Sequence, residues 1–288
     1  MSEPTIISSA SRMREWANDH RRAGRRIALV PTMGFLHEGH LSLVREAARR
    51  ADVTVVSIFV NPTQFGPNED LATYPRDLEG DIAKLADLNV DAVFTPTPDI
   101  VYPAGFDTYV VPDTLARPLC GVSRPHHFRG VATVVLILLR LTRCQVAIFG
   151  NKDYQQLQII RHMSADLWLD VEIIGAPIVR ERDGLAMSSR NAYLSTDERK
   201  QALVLSQALD DAERLVKNGE RDARRVLESV RTIIGCAPNA RIDYTEVVDA
   251  KSLSPTETIL RPAACMLAVF IGKTRLIDNR TLTPRASQ

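Results

Sequence analysis

Pro31-Thr32-Met33-Gly34-Phe35-Leu36-His37-Glu38-Gly39-His40 lies between two opposite periodicities. Before it, Arg26-Ile27-Ala28-Leu29-Val30 is a short apolar run of the kind that forms a buried strand. After it, Leu41, Leu43, Val44, Ala47 and Ala48 recur at helical spacing. The chain therefore passes from strand through a tight loop into a helix. Gly34 and Gly39 are expected to let the backbone come close to a ligand. Free amides at the helix start, with their partial positive charge, suit phosphate oxygens. His37 and His40, three apart, fall together at that terminus and could donate hydrogen bonds to phosphate. His-x-x-His also suits zinc, but zinc needs further ligands and no cysteine lies nearby. Plain capping of the helix by two histidines is the third reading. The strand–glycine loop–helix context favours phosphate.

Outward from this window, the residues to about 190 alternate strand and helix signals. Asp52-Val53-Thr54-Val55-Val56-Ser57-Ile58-Phe59-Val60 is β-branched and almost wholly apolar, as a buried parallel strand should be. Leu78, Ile82, Leu85 and Leu88 form a helical stripe, and Ala92-Val93-Phe94-Thr95 is a strand stopped by Pro96 and Pro98. Residues 108–111 read as an edge strand, and 131–141, apolar all round, as a buried or interface helix. Val146-Ala147-Ile148-Phe149 is the next strand, followed by a helix through Leu157, Ile160 and Met163, and Val171-Glu172-Ile173-Ile174 closes the series. Such alternation predicts an α/β fold, a doubly wound parallel (Rossmann-like) sheet with right-handed crossovers. Ligands in such sheets sit beyond the carboxyl ends of the strands. His37 and His40, Asn61 and Gln64, and Asn151, Lys152 and Asp153 follow three different strands and are expected to converge.

The pattern changes after about Asn191. Ser195-Thr196-Asp197-Glu198 reads as a helix start, with Leu205, Ala208, Leu209, Ala212, Leu215 and Val216 continuing one stripe to Gly219. A second helix carries Val226, Leu227, Val230 and Ile233. Strand-like runs at 241–248, 266–271 and 274–278 follow without helices between them. This predicts a smaller C-terminal α+β domain with an antiparallel sheet. The boundary is set between Ala186 and Asn191, giving domains 1–186 and 187–288.

The 288 residues suit one large or two modest domains, since single cores stop growing at roughly 250–300 residues. Thirty-six Lys and Arg nearly balance 35 Asp and Glu, which argues against a nucleic-acid partner, normally met by a clear basic excess. Met1-Ser2-Glu3-Pro4 leads to no apolar signal core, so no secretion is expected. The apolar window 131–139 falls short of a membrane span and ends at Arg140. Cys120, Cys144, Cys236 and Cys265 show no paired spacing and read as reduced thiols of a cytoplasmic protein.

Four further stretches carry polar groups at the ends of elements. Asn61-Pro62-Thr63-Gln64-Phe65 could present amides to a hydroxyl or carboxylate, or could be an ordinary turn. Gly150-Asn151-Lys152-Asp153 leaves a strand directly before a helix. Lys152 there would be a point charge for phosphate, or merely a solvated lysine, and Asp153 would cap the helix or take a ribose hydroxyl. One of Gln155 and Gln156 should face the ligand and the other point away. Gly184-Leu185-Ala186-Met187-Ser188-Ser189-Arg190 offers hydroxyls, amides and an arginine for phosphates, or is a plain interdomain turn. Arg124-Pro125-His126-His127-Phe128-Arg129-Gly130 either faces an anionic substrate or caps the following helix. Asp243, Glu246 and Asp278 read as a solvated surface or as structural pairing more than as a metal site.

Together these motifs resemble the pantothenate synthetase (pantoate–β-alanine ligase) family over nearly the whole chain and in the same order. Beyond those quoted, the match includes Tyr74-Pro75-Arg76 and Leu276-Ile277-Asp278-Asn279. The resemblance implies a two-step, ATP-dependent ligation. The pantoate carboxylate attacks the α-phosphorus of ATP, giving pantoyl adenylate and pyrophosphate; the β-alanine amine then attacks the acyl carbon, giving pantothenate and AMP. It places ATP contacts on Met33, Gly34, Phe35, Leu36, His37, Glu38, Gly39 and His40, on Gly150, Asn151, Lys152 and Asp153, near Val179, and on Met187, Ser188, Ser189 and Arg190. Pantoate falls on Gln64 and Gln156, β-alanine beside Gln64, with Asn61, Arg124 and His127 as further substrate-side candidates. His40 matches the family's proton donor; its physical role reads more as hydrogen bonding to phosphate, alongside His37 and Lys152. Mg²⁺ is implied with ATP, its protein ligands unassigned, and so is a cytoplasmic homodimer with no nucleic-acid or membrane partner. The C-terminal domain is expected to act as a lid hinged at residues 186–191 that keeps water from the adenylate.

The sequence departs from the family pattern at His126, which bears on the geometry beside Arg124 and His127, at Ile137, at Cys144-Gln145 and at Asn151, where glutamate is commoner; none of these removes an implied phosphate or pantoate contact. Another nucleotidyl-transfer enzyme of the same architecture and a non-catalytic ATP-binding regulator are the rival readings; the regulator should have lost His40, Lys152 or the serine pair. A dehydrogenase is disfavoured because Gly34-x-x-x-x-Gly39 lacks Gly-x-Gly-x-x-Gly spacing.

Overall fold

In the computed structural model, which describes residues 3–67 and 69–285, Ile27-Ala28-Leu29-Val30 forms a strand dry on both faces. Met1 and Ser2 of the polar start, and residues 286–288 at the end of the expected second domain, lie outside the described residues. The elements run β1 (Thr5–Ile7), α1 (Ala10–Arg22), β2 (Ile27–Thr32), α2 (Glu38–Ala48), β3 (Val53–Ile58), α3 (Leu78–Ala86), β4 (Ala92–Phe94), α4 (Pro98–Val101), α5 (Cys120–Ser123), α6 (His127–Thr142), β5 (Val146–Gly150), α7 (Tyr154–Asp166) and β6 (Glu172–Ala176). They continue with α8 (Thr196–Gln201), α9 (Val204–Lys217), α10 (Ala223–Gly235), β7 (Ala240–Asp249), β8 (Ala263–Ile271) and β9 (Thr274–Leu282). The chain divides into two compact units. One comprises the residues to Ala116, Arg124–Asn151 and Gln156–Pro177. The other comprises Arg117–Ser123, Lys152–Gln155 and the residues from Ile178. The boundary drawn from sequence between Ala186 and Asn191 falls within the second unit.

The first unit is built on a six-stranded sheet in the order β1-β4-β3-β2-β5-β6, every neighbouring pair parallel. From β2 the chain winds outward through β3 to β4, then returns to β5 on the other side of β2. The winding direction thus reverses between β2 and β5, where open parallel sheets leave a crevice beyond their carboxyl ends. Alternation along β2 decides the layers. Ile27 and Leu29 pack with Met13 of α1, Val135 of α6 and Leu157 of α7, whereas Ala28 and Val30 pack with Val44 of α2 and Leu85 of α3. Each fully buried Leu, Ile or Val contributes about 1.5–3 kcal/mol relative to exposure, so the two-sided burial is what holds this sheet.

Several expectations need correction. Residues 108–111 form no strand: the N–H of Val110 donates to the Thr133 hydroxyl of α6 at 3.0 Å, and the Arg129 guanidinium stacks 3.6 Å from the Tyr109 ring centroid. The segment therefore lies along a helix, and the sheet edge is β1, too short at three residues to show a period. The stripe at 78–88 is only partly internal, since Leu85 and Asp81 are buried while Leu78 is exposed. Gln145, one of the departures, accepts from the Ile27 N–H at 2.9 Å and so steadies the start of β2.

In the second unit α9 and α10 cover the antiparallel sheet β7-β8-β9, with Leu209, Val216, Val230 and Ile234 against Cys265, Leu267 and Val269. Ser195 and Glu198 close the expected capping box, Glu198 N–H to Ser195 Oγ at 3.3 Å and Ser195 N–H to Glu198 Oε2 at 2.9 Å. The single helix expected to Gly219 is two, because hydrogen bonds tighten to three-residue spacing at Leu203 and Leu205. All four cysteines are free; burial pushes the Cys144 and Cys265 thiols up to about 12, and Cys236 is exposed. Among the described residues no helix is long and apolar enough to cross a membrane.

Candidate active site

The loop leaving β2 is closed on itself more completely than its sequence suggests. Gly34 and Phe35 both have positive φ, +82° and +52°, which turns four successive amides inward. Gly34 N–H meets Thr32 Oγ1 at 3.2 Å, and that hydroxyl donates to Ser57 O at 2.8 Å. Phe35 and Leu36 N–H reach the two oxygens of Asp81, at 2.7 and 2.6 Å, and His37 N–H reaches His40 Nδ1 at 3.3 Å. Lys84, one turn after Asp81 on α3, donates to Leu36 O at 2.9 Å. The structure gives Gly34 a duty in the turn itself. A Cβ there would stand 3.0 Å from Ile58 Cγ2 and 3.2 Å from Asp81 Oδ2, so the glycine serves the turn. The amides of Glu38 and Gly39, at the first turn of α2, have no internal acceptor among the described residues, and it is here that the helix start can receive an anion.

Asp81 was not singled out from the sequence. Burial pushes its carboxyl above the ordinary value, against the pull of the two amides and Lys84. Asp81→Asn keeps the shape but presents an NH₂ to one of the two N–H groups. It is expected to lower unfolding stability by about 1–3 kcal/mol, the cost of a buried donor left unsatisfied. Urea denaturation checks this; an unchanged midpoint would show that the loop holds its form without Asp81.

His37 caps α2 and His40 occupies its third position, so the rings sit 4.0 Å apart between centroids, tilted 32°. With Nδ1 of His40 accepting from the main chain, its neutral ring carries the proton on Nε2 and presents a donor.

The turn after β3 is organised around Asn61, which is 1% exposed. Its Oδ1 accepts from Thr63 N–H and from the Tyr102 hydroxyl at 2.8 Å, and its Nδ2 donates to Gln64 Oε1 at 3.1 Å and Gly130 O at 3.2 Å. Asn61 was expected to touch substrate; its amide is instead committed to shaping the turn. Gln64 Nε2 points at Met33 Sδ, 3.1 Å away in the neighbouring loop, so the exits of β2 and β3 meet. The Gln64 carbonyl accepts from Arg124 at 3.1 Å and pairs with His127 Nδ1 at 2.9 Å. Arg124 also donates to both oxygens of Glu69, whose carboxyl is held below its ordinary range by that guanidinium although burial works the other way. The Arg124 charge thus lies on Glu69, a partner that neither reading of residues 124–130 named. His126 is exposed at the cap of α6.

In the second unit Lys152 stands in the 3₁₀ turn Asn151–Asp153, its ammonium 3.5 Å from Asp153. Of the two glutamines, Gln155 is buried and binds Cys120 N–H and Pro118 O, leaving half-buried Gln156 as the candidate for a ligand. Residues 179–187 fold back as a hairpin, Met187 N–H to Val179 O at 3.0 Å and Glu181 N–H to Leu185 O at 2.8 Å. Ser188 then caps the 3₁₀ turn Ser189–Tyr193, accepting from Arg190 N–H at 3.3 Å, and Ser189 is buried. Asp243 pairs with Arg275 and Asp278 with Arg180, as structural pairing predicts. Among the described residues no group of three or more His, Cys, Asp or Glu side chains could hold a metal ion.

Residues 5–281 match the family described as Pantoate-beta-alanine ligase. A pantothenate synthetase of Myxococcus xanthus is 54% identical over 282 residues, covering 97% of this chain and 96% of the relative. That of Thermotoga neapolitana is 52% identical over 277 residues, 96% and 99% of the two chains. The crystal structure of pantothenate synthetase from Thermus thermophilus superposes with a TM-score of 0.92 at 42% identity, over 97% of this chain and 100% of that one. A pantoate-beta-alanine ligase from Francisella tularensis, complexed with beta-gamma ATP and beta-alanine, gives 0.80 at 35% identity over 96% and 97%. With a match of this length and a sheet of the same winding, the chain belongs to the pantoate–β-alanine ligase family.

Proposed function

We infer that this protein condenses (R)-pantoate with β-alanine at the expense of ATP, through pantoyl adenylate, releasing AMP and pyrophosphate. The carrying observation is that His40 and Gln64 are fixed beyond the carboxyl ends of adjacent strands β2 and β3, beside the reversal between β2 and β5, on a chain of this family. In the first step a pantoate carboxylate oxygen bonds to the α-phosphorus and the bond to the bridging oxygen of pyrophosphate breaks. Negative charge builds on the phosphates, and the protein's task is to meet it with groups already in place. Among the groups assigned to ATP are the N–H groups opening α2 and the Nε2–H of His40, with His37 beside it. The Lys152 ammonium and the hydroxyls and amides of Ser188 and Ser189 are assigned to ATP as well, with Val179 and Met187 paired at the base of the hairpin and Arg190 in the 3₁₀ turn that follows. Gln64 and Gln156 take pantoate, and β-alanine lies beside Gln64. Asn61, Arg124 and His127 act through Gln64 by holding both its amide and its carbonyl.

In the second step the β-alanine amine attacks the acyl carbon and AMP leaves, the amine's proton passing to solvent or phosphate. The protein works as a cytoplasmic homodimer. Mg²⁺ arrives with ATP, held by phosphate oxygens and water, which suits a hard cation and a site without a carboxylate cage. The deciding assay supplies ATP, pantoate and β-alanine in all combinations. Labelled pyrophosphate should exchange into ATP with pantoate alone, and net AMP should require both acids. Exchange that ignores pantoate would sink this assignment.

A further inference from the structure

We propose that Asp278 and Asn279 of β9 are positioning residues for the nucleotide, the asparagine through the main chain of Lys152 and the aspartate through the hairpin that leads to Met187. The proposal rests on the reading of Lys152 and residues 187–190 as ATP contacts. Asn279 Nδ2 donates to Lys152 O at 2.9 Å, across 127 positions of sequence. The 3₁₀ turn carrying Lys152 is thus tied to a strand of the antiparallel sheet as well as to its own neighbours. Asn279 N–H in turn donates to Asp278 Oδ1 at 2.8 Å, and the two side chains belong to residues only 4% and 2% exposed.

Asp278 looks the other way, to Arg180. Its two oxygens accept from Nη1 and Nη2 at 2.7 and 2.9 Å, and Nη1 also donates to Gly184 O at 3.0 Å. Arg180 bridges to Ala186 through the main chain, one residue before Met187. A single dipeptide of β9 therefore braces both segments of this unit assigned to ATP. A planar guanidinium gripped at two points allows one orientation of the hairpin, where a lysine would allow many. Stability alone does not explain the arrangement, since a buried ion pair is often no better than a well-packed apolar one. What it supplies is a fixed origin for the Lys152 side chain and a fixed exit for Ser188 and Ser189. Fixing them before ATP arrives reduces the ordering that binding must otherwise accomplish.

The test uses the full-length protein with Asn279→Ala, Asn279→Asp, Arg180→Lys and Lys152→Ala, and the double variant Asn279→Ala with Lys152→Ala. Asn279→Asp sets a carboxylate against the Lys152 carbonyl; Arg180→Lys keeps the charge and loses the two-point grip. The Asn279 variants and Arg180→Lys are each expected to raise KM for ATP about tenfold, with KM for pantoate and β-alanine unchanged; for Asn279→Ala this is the kinetic equivalent of one charge-free hydrogen bond. Because Asn279 acts through Lys152, the double variant should be no worse than Lys152→Ala alone. If Lys152→Ala weakens ATP while the Asn279 variants do not, or weaken all three substrates alike in step with melting temperature, positioning by Asn279 is overturned and the nucleotide reading stands. An unchanged KM for ATP in Arg180→Lys overturns the part given to Asp278. Lys152→Ala without effect on ATP overturns both the proposal and the reading beneath it.

Discussion

Alanine at His40 or at Lys152 is expected to lower pantoate-dependent exchange of pyrophosphate into ATP by about a hundred- to a thousandfold, the range found when one preorganised donor to a developing anion is removed. The two losses arise differently. Lys152 is a half-buried ammonium whose contact with partly exposed Asp153, at 3.5 Å, contributes little to stability, so its removal should leave the fold intact. His40 has a second duty, since its Nδ1 receives the His37 N–H at 3.3 Å. His40→Ala removes both the Nε2–H donor and that acceptor, at the open end of α2 where the amide can turn to water. His40→Gln restores a donor of similar reach and should recover part of the exchange if hydrogen bonding is the main role. A residue acting chiefly by proton transfer would not be rescued in this way. Exchange kinetics beside circular dichroism melts make the comparison, and near-normal exchange in both alanine variants would refute these roles.

The largest effect on stability is expected at Gly130. A Cβ built there stands 2.4 Å from Thr63 O, 2.6 Å from Thr63 C and 2.7 Å from Gln64 N, all main chain. Helix α6 thus lies directly against the turn that presents Gln64, and the Gly130 carbonyl is one of the acceptors for Asn61. Nothing flexible can yield. Gly130→Ala must push the turn away from the helix, breaking the Asn61 network as it goes. A loss of about 3 kcal/mol or more is expected, at the upper end for overpacking, together with a raised KM for pantoate because Gln64 moves. Gly235→Ala, at the end of α10 with no atom within 4 Å, is the matched control and should be neutral or stabilising by up to about 1 kcal/mol. Similar melting curves for the two would mean that the turn relaxes freely around α6.

The sheet was legible because its inner strands are buried on both faces and its helices show one clear stripe, so Ile27 to Val30 and the run from Val53 declared themselves locally. β1 was not, since three residues with one buried side chain carry no period. Residues 108–111 looked like a strand because Tyr109, Val110 and Val111 favour extended backbone, yet their hydrogen bonding is decided by Thr133 on a helix. In the site, the histidines and Gln64 could be read from motifs that end strands. Asp81, Glu69 and Asn279 could not. Each acts on a loop 45 or more residues away, and nothing in Leu78 to Leu88 distinguishes a carboxylate that accepts two amides from one facing solvent. The same distance hid the use of Gly130, which inside an apolar helix resembles a weak helix former until the turn it touches is known.

The burial of three of the four thiols has a practical side. Cys144 and Cys265 stay protonated and out of reach, and Cys120 is enclosed, so an alkylating probe meets one sulfur, that of Cys236 just past α10. The native protein thereby carries a ready attachment point for a dye or spin label, on the unit that holds Lys152 and Ser188, without any cysteine having to be engineered away.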